Sequence, residues 1–305
     1  MLKKYKLALT TGDKKGIGKE LVKKSLKNLS LKREDVLIIG EVFDEEISQN
    51  FDTYEIKEED NGAFCYKSLE AAAKFAKEGA VKAIVTSPVS KYELHKSGYI
   101  FNGQTEVLES LLAKKNKDGK LQKAQMIFIA DSLRVMLLTR HVALKDIKLD
   151  KEEIIFQAKI LNDFLVEKCK IKSPKIALCA LNPHAGEGGI LGKEEIEILE
   201  PAANALKKEG INITSPKSAD ALFAKVGKEY LQKEKLTYDA ILACYHDQGL
   251  CPIKALAFEK AINTTIGLDV IRTSPSSGTA YDIAGQNKAD SSSMEESIKL
   301  ALKLC

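Results

Sequence analysis

The sequence predicts an α/β protein with a largely parallel sheet, and three observations carry that reading. Short β-branched apolar runs alternate with longer amphipathic stretches along the chain, the pattern of successive βα units. Hydrophobic residues make up 44% and charged residues 30%, a globular balance that excludes a disordered or fibrous chain. The 305 residues leave room for about two domains with filled cores. No internal repeat, low-complexity tract or long Pro/Gly/Ser linker divides them, so the two domains share one interleaved chain.

Strands are expected at 6–10, 36–39, 83–86, 126–130, 135–138, 175–181 and 240–244, each a short apolar run bounded by turn residues. Asp131-Ser132 should join the fourth and fifth of these as a hairpin. The clearest helix spans 150–169. Asp150 can cap it, and Glu153, three residues on, completes a capping-box-like start. Its Ile154, Ile155, Ala158, Ile160, Leu161 and Leu165 form a broad apolar stripe. A second helix at 195–208 should end or kink early at Pro201. A third, 294–304, turns Ile298, Ala301 and Leu302 inward.

Charge and cysteine usage narrow the function classes. Lys+Arg number 47 against 43 Asp+Glu, a net +4, and the lysines are scattered, which argues against a nucleic-acid binder. No apolar run approaches the ~20 residues that span a bilayer, so no membrane partner is expected. The basic start has too short an apolar stretch for a signal peptide, and a cytoplasmic protein is the expectation. Six cysteines without a CxxC pair read as free thiols.

The four histidines are more informative. His141, His184 and His246 each follow a predicted strand, and ligands of open α/β sheets bind outside the carboxyl ends of strands. Three imidazoles suit a divalent metal and leave coordination positions for a substrate. Any one of them alone reads equally as a capping or hydrogen-bonded histidine. His95, within Lys91-Tyr-Glu-Leu-His-Lys, has no such context and reads as structural or solvent-exposed. The loop Asn182-Pro-His-Ala-Gly-Glu-Gly-Gly189 allows close backbone approach to a ligand or is simply a flexible turn. Gly12-Asp-Lys-Lys-Gly-Ile-Gly-Lys-Glu20 follows a strand and opens a helix, as a phosphate-binding loop does. It lacks GxxxxGK[ST] spacing, however, and Glu20 stands where a hydroxyl should hold magnesium, which disfavours a phosphotransferase. No GxGxxG follows a strand, which disfavours an ordinary Rossmann dehydrogenase.

Leu181-Asn-Pro-His-Ala-Gly-Glu-Gly-Gly189, Tyr245-His-Asp-Gln-Gly-Leu250, Ile271-Arg-Thr273 and Gly278-Thr-Ala280 resemble the 4-hydroxythreonine-4-phosphate dehydrogenase family of the vitamin B6 pathway. So do Thr11-Gly-Asp-Lys-Lys-Gly-Ile-Gly18 and Thr86-Ser-Pro-Val-Ser-Lys91. The resemblance runs from the first strand to about Asp290. It implies the isocitrate/isopropylmalate dehydrogenase-like fold, two α/β/α domains with a cleft between them, at 1–103 plus 258–305 and at 104–257. It further implies a homodimer with the active site at the subunit interface. The family's metal ligands fall on His141, His184 and His246, and its substrate contacts on Thr105, Lys254, Asn263 and Arg272. Gln104 stands where family members carry a substrate-contacting histidine, and Ser87 replaces a more usual glycine. Glutamine can donate a hydrogen bond there but carries no charge.

The implied reaction is the NAD(P)-linked oxidation of 4-phosphohydroxy-L-threonine to a β-keto acid that loses carbon dioxide to give 3-amino-2-oxopropyl phosphate. Three neutral imidazoles would leave a divalent ion's full charge facing the substrate oxygen. Zinc suits them best, with magnesium, cobalt or manganese as alternatives. Lys254, Asn263 and Arg272 supply donors for the phosphate. Asp247 and Lys254 are the candidates for general base, and Asp247 alternatively orients a metal histidine. The segment 278–288, with Gly278, Asp282 and Ile283, is similar to the superfamily's adenosine-binding loop. A carboxylate at 282 accepts from free ribose hydroxyls and repels a 2′-phosphate, so NAD is expected over NADP, with Lys288 nearby softening the choice. A turn-capping Asp282 is the plain alternative. From the residues alone, a zinc hydrolase with the same histidines and Asp247 or Glu187 as base stays open, as does a binding module.

Overall fold

A computed structural model describes residues 3–115, 119 and 121–305; Met1 and Leu2, the first residues of the basic start, lie outside them. The chain folds as two compact units. One comprises residues up to Ala124 together with Ile262–Cys305, and the other is Gln125–Ala261. Residues 104–124 therefore belong to the first unit, not to the second as the sequence predicts. The reason is the helix Gln104–Leu112, whose Val107 and Leu108 are fully buried against the helix Asn61–Lys77.

The chain enters the first unit through β1 (Leu7–Thr10), α1 (Gly18–Asn28), β2 (Val36–Gly40), α2 (Glu45–Asn50), β3 (Asp52–Glu55), α3 (Asn61–Lys77), β4 (Ala83–Thr86), α4 (Lys91–Lys96) and α5 (Gln104–Leu112). It crosses the second unit as β5 (Gln125–Ala130), β6 (Leu133–Leu137), α6 (Lys151–Glu167), β7 (Ile176–Leu178), α7 (Glu200–Lys208), α8 (Ala219–Leu231), β8 (Ala240–Ala243) and α9 (His246–Ala257). It returns to the first with β9 (Ile262–Ile266), β10 (Ile271–Ser274) and α10 (Ser292–Leu304).

In the first unit the strands run in the order β3-β2-β1-β4-β10-β9, parallel except for the β10–β9 pair. Buried on both faces, β1, β2 and β4 are continuous apolar runs rather than alternating ones, as parallel strands between helical layers must be. Ala8, Leu37, Ile39 and Ile84 pack with Leu69, Ala72, Val107 and Leu108 of α3 and α5. Alternation then puts Thr86 on the same face as Ile84. Arg272 is the register partner of Ile84 and shares that face.

In the second unit the order is β5-β6-β8-β7, antiparallel at β5–β6 and parallel elsewhere. The hairpin turn is Asp131-Ser132, as expected, with Asp131 at φ 53°. Asp150 caps α6 by accepting from the Glu153 N–H at 2.9 Å. Pro201 does not break a helix. A π-helical turn, Glu195–Leu199, precedes α7, and Pro201 sits in that helix's first turn, where a missing N–H costs nothing. The strand β7 is shorter than expected, because beyond Leu178 the backbone bonds to Lys217 and Leu242 instead of extending a ladder residue by residue.

Candidate active site

The histidines of the second unit are placed by strand ends. Thr139, two residues beyond β6, bonds to the Cys244 carbonyl through its N–H at 3.2 Å and its Oγ1 at 2.8 Å. This ties the chain after β6 to the chain after β8 and brings His141 beside His246, their ring centroids 5.7 Å apart. His246 is the first residue of α9. Gly249, one turn on, packs where a Cβ would meet Leu137 Cδ2 at 2.6 Å and Val135 Cγ1 at 2.9 Å, so only glycine lets α9 lie this close to β6. Gln248 then pins the strand ends: its Oε1 accepts from Cys244 N–H and its Nε2 donates to the Ala180 carbonyl, both at 2.7 Å.

His246 Nδ1 lies 2.6 Å from an Asp247 carboxylate oxygen. With Nδ1 donating, Nε2 keeps its lone pair, the arrangement by which a carboxylate orients a metal-binding imidazole. Arg140, His141, Tyr245, His246 and Asp247 line a cavity of about 330 Å³. The donor set fits a divalent cation in kind. Among the described residues, however, no three His, Cys, Asp or Glu side chains are gathered as a metal-binding group. One chain brings His141 to His246 without adding His184.

His184 lies on the turn Pro183–Gly189, where His184, Ala185, Gly186, Glu187 and Gly188 all have positive φ, between 44° and 76°. Left-handed backbone costs a non-glycine residue roughly 1–2 kcal/mol, so His184, Ala185 and Glu187 are held there by their surroundings. Glu195, only 5% exposed, does much of the holding. Its carboxylate accepts from the N–H groups of Leu181 and Asn182, each at 2.8 Å, and from Asn182 Nδ2 at 3.0 Å. The result is a presented, exposed imidazole on a fixed loop. In the sequence nothing distinguishes Glu195 from the other carboxylates of its helix; only its burial does.

The expected substrate residues divide between the units. Lys254 is on α9, seven residues from Asp247 and hence on the same helix face about 10 Å further along. Gln104, Thr105, Asn263 and Arg272 are in the first unit and converge on the end of β4. Arg272 is fully buried, and its Nε and Nη2 both donate to Thr86 Oγ1, at 2.8 and 2.6 Å. Burial pulls its guanidinium down to about 10, opposed by the nearby Glu106 carboxylate. Gln104 Nε2 donates to the next carbonyl, Ser87, at 3.1 Å, while its Oε1 is buried with no partner. Asn263, paired with Ser274 on the Arg272 face of β9–β10, has a buried Oδ1 in the same condition. Thr105 is buried in the first turn of α5. Buried polar atoms without partners are places where a water, an ion or a ligand can complete the bonding.

The segment carrying Gly278, Asp282 and Ile283 is anchored to the start of the chain. Tyr281 Oη donates to Asp13 at 2.5 Å, the Thr279 carbonyl accepts from Ile17 N–H at 3.0 Å, and Ile283 N–H bonds to Ala280 O. Burial, reinforced by the Asp13 bond, pushes the Tyr281 hydroxyl up to about 12. Glu20 accepts from the N–H groups of Asn287 and Ala289, and Lys24 donates to both their carbonyls. Lys15, Lys19, Lys23 and Lys24 of the first loop and α1, with Ala284, Gly285 and Asn287, line a cavity of about 910 Å³. Gly278, Asp282 and Ile283 flank it without lining it, and Asp282 is exposed. His95 is structural, its Nε2 2.7 Å from the Phe101 carbonyl oxygen. No helix among the described residues is long and apolar enough to cross a membrane.

Residues 7–301 match the family described as pyridoxal phosphate biosynthetic protein PdxA. A 4-hydroxythreonine-4-phosphate dehydrogenase from a Sulfurihydrogenibium species is 35% identical, over 98% of each chain. The crystal structure of a 4-hydroxythreonine-4-phosphate dehydrogenase from Klebsiella pneumoniae is 31% identical, covering 99% of this chain and 98% of that one, with a TM-score of 0.82. Isocitrate dehydrogenase from Methylococcus capsulatus, 14% identical, shares the fold over 97% of this chain and 83% of its own, with a TM-score of 0.51.

Proposed function

The chain belongs to the PdxA family, and from that premise we propose that it is the metal-dependent, NAD-linked dehydrogenase of 4-phosphohydroxy-L-threonine in pyridoxal phosphate biosynthesis. The observation that carries the proposal is the His141–His246 pair over a common cavity, with Asp247 on Nδ1 of His246. When bound, a divalent ion, zinc foremost, would supply Lewis acidity toward the substrate oxygen, and a nicotinamide would supply the hydride acceptor. His141, His184 and His246 would hold the ion. The site is completed in a homodimer, which accounts for three histidines that one chain does not gather.

Arg272 holds the substrate phosphate. It is a buried cation whose hydrogen-bond partner among the described residues is the neutral Thr86 hydroxyl, so an anion meets an unspent, desolvated charge. Asn263, Thr105 and Gln104 add neutral contacts. Gln104 cannot supply the charge of the histidine usual there, which leaves the charge pairing of the phosphate to Arg272. Lys254, without an ion-pair partner among the described residues, is the general base and takes the hydroxyl proton as its neutral amine. Asp247, already committed to His246, is a positioning residue. Loss of the carboxylate from the β-keto acid leaves the C–C bonding pair on carbon as an enolate, which takes a proton to give 3-amino-2-oxopropyl phosphate. Gly278, Asp282 and Ile283 flank the cofactor site, and exposed Asp282 favours NAD over NADP.

The test is reduction of nicotinamide by the purified protein with 4-phosphohydroxy-L-threonine, with and without zinc, cobalt, manganese or magnesium. Metal-dependent reduction is the expected result. Metal-dependent hydrolysis of the phosphate ester without cofactor would overturn the proposal in favour of a hydrolase.

A further inference from the structure

Arg140 lines the 330 Å³ cavity beside His141 and His246, and neither the metal chemistry nor the phosphate contacts use it. Its backbone carbonyl accepts from Val142 N–H, and Thr139 before it is tied to Cys244, so the segment is fixed. Arg140 is half-buried as a residue, and its Nη1 is fully buried with no hydrogen-bond partner. No carboxylate among the described residues is within ion-pair distance of it. The one carboxylate of the cavity, Asp247, lies 2.6 Å from His246 Nδ1 and is engaged there. A buried guanidinium N–H without an acceptor is costly, and a cavity-lining guanidinium with no counter-charge of its own favours an anion beside it.

We infer that Arg140 binds the carboxylate of the substrate and makes the site selective for a carboxylated hydroxy amino phosphate over its carboxylate-free counterpart. The inference rests on the proposed function and adds the recognition of one end of that substrate. Two anionic groups compete for the assignment. The phosphate is attached one carbon and one oxygen beyond the carbinol carbon and has its own buried cation in Arg272. The carboxylate is held on the neighbouring carbon at the other end. With the hydroxyl at the histidines, the carboxylate is the nearer anion to Arg140, and a planar guanidinium is the side chain that matches it with paired N–H donors.

A contact made equally in ground and transition states, when lost, raises KM and leaves kcat nearly unchanged. One charge-assisted pair corresponds to roughly a 10- to 100-fold change in affinity. The experiment is calorimetric binding of 4-phosphohydroxy-L-threonine and of 3-amino-2-hydroxypropyl phosphate, which lacks the carboxylate. Both are titrated into metal-loaded wild type, Arg140→Gln and Arg140→Lys, with metal content and sedimentation mass measured alongside. The wild type should prefer the carboxylated compound. Arg140→Gln should lose that preference by about 10- to 100-fold with metal and mass unchanged, and Arg140→Lys should recover part of it. An unchanged ratio, or equal weakening of both compounds, would overturn the assignment while leaving the dehydrogenase reading intact. A fall in assembly mass would instead overturn it by showing that the acceptor belongs to a second copy of the chain. A wild type that binds neither compound would remove the proposed function and this inference together.

Discussion

Replacing Arg272 with methionine should stabilise the ligand-free protein while weakening its hold on phosphate. In the folded chain burial pulls the guanidinium well below its ordinary value, to about 10, so at neutral pH the charged form carries a desolvation cost of about 3 kcal/mol relative to the unfolded chain. That cost is fully present below pH 10 and is relieved only as the pH rises from there toward the ordinary guanidinium range, because in that window the unfolded chain binds the extra proton. Methionine carries no charge and replaces the aliphatic stem, ending two bonds short of the terminal guanidinium nitrogens. What it forfeits is the pair of bonds to Thr86 Oγ1, of which about 1 kcal/mol is lost with the hydroxyl left buried. The net expectation is a gain of about 2 kcal/mol at pH 7, read as a rise of several degrees in the melting temperature without ligand. Inorganic phosphate should stabilise the wild type progressively and the variant hardly at all. An Arg272→Met protein that melts below the wild type, or that phosphate protects equally, would show that the guanidinium is satisfied within the chain and does not await an anion.

Three further outcomes follow from the same geometry. Glu195→Ala removes the acceptor for Leu181 and Asn182 N–H and for Asn182 Nδ2, at about 3 kcal/mol or more; hydrogen exchange should quicken across 181–192 and bound metal should fall, and unchanged exchange would refute the clamp. Asp247→Asn should weaken metal binding about 10- to 100-fold, with little change in melting temperature because the carboxylate is exposed; undiminished metal affinity would mean that it does not orient His246. Asp282→Lys should move kcat/KM toward NADP, and a wild type already preferring NADP would remove Asp282 from the ribose.

Much of the fold is legible in the sequence because each parallel strand is an uninterrupted apolar run and each long helix carries its stripe and cap. Three strands are not. Asp52–Glu55 is polar and half-exposed, and Ile262–Ile266 and Ile271–Ser274 carry Asn263 and Arg272 inward, so polar residues erase the apolar pattern that would reveal them. Pro201 reads as a breaker only for an α-helix that starts at Glu195, and a π turn resets the helix start to just before the proline. At the site, the histidines stand out because they are few and each follows a strand. Glu195 and Gln248 act through burial and pairing, and Arg140 is singled out by a buried N–H without a partner, none of which one-dimensional spacing carries. Gln104 shows the converse: its position in the motif is plain, and its orphaned Oε1 appears only in three dimensions.

The central claim is that oxidation and loss of the carboxylate occur together at the histidine cavity. Its most direct measurement is the ratio of carbon dioxide released to nicotinamide reduced, using 4-phosphohydroxy-L-threonine labelled in the carboxylate and enzyme with and without its metal. The predicted result is one carbon dioxide per reduced nicotinamide with metal, and neither product from enzyme stripped of metal or carrying His246→Ala. Full turnover by metal-free His246→Ala, or reduced nicotinamide without release of the label, would contradict it.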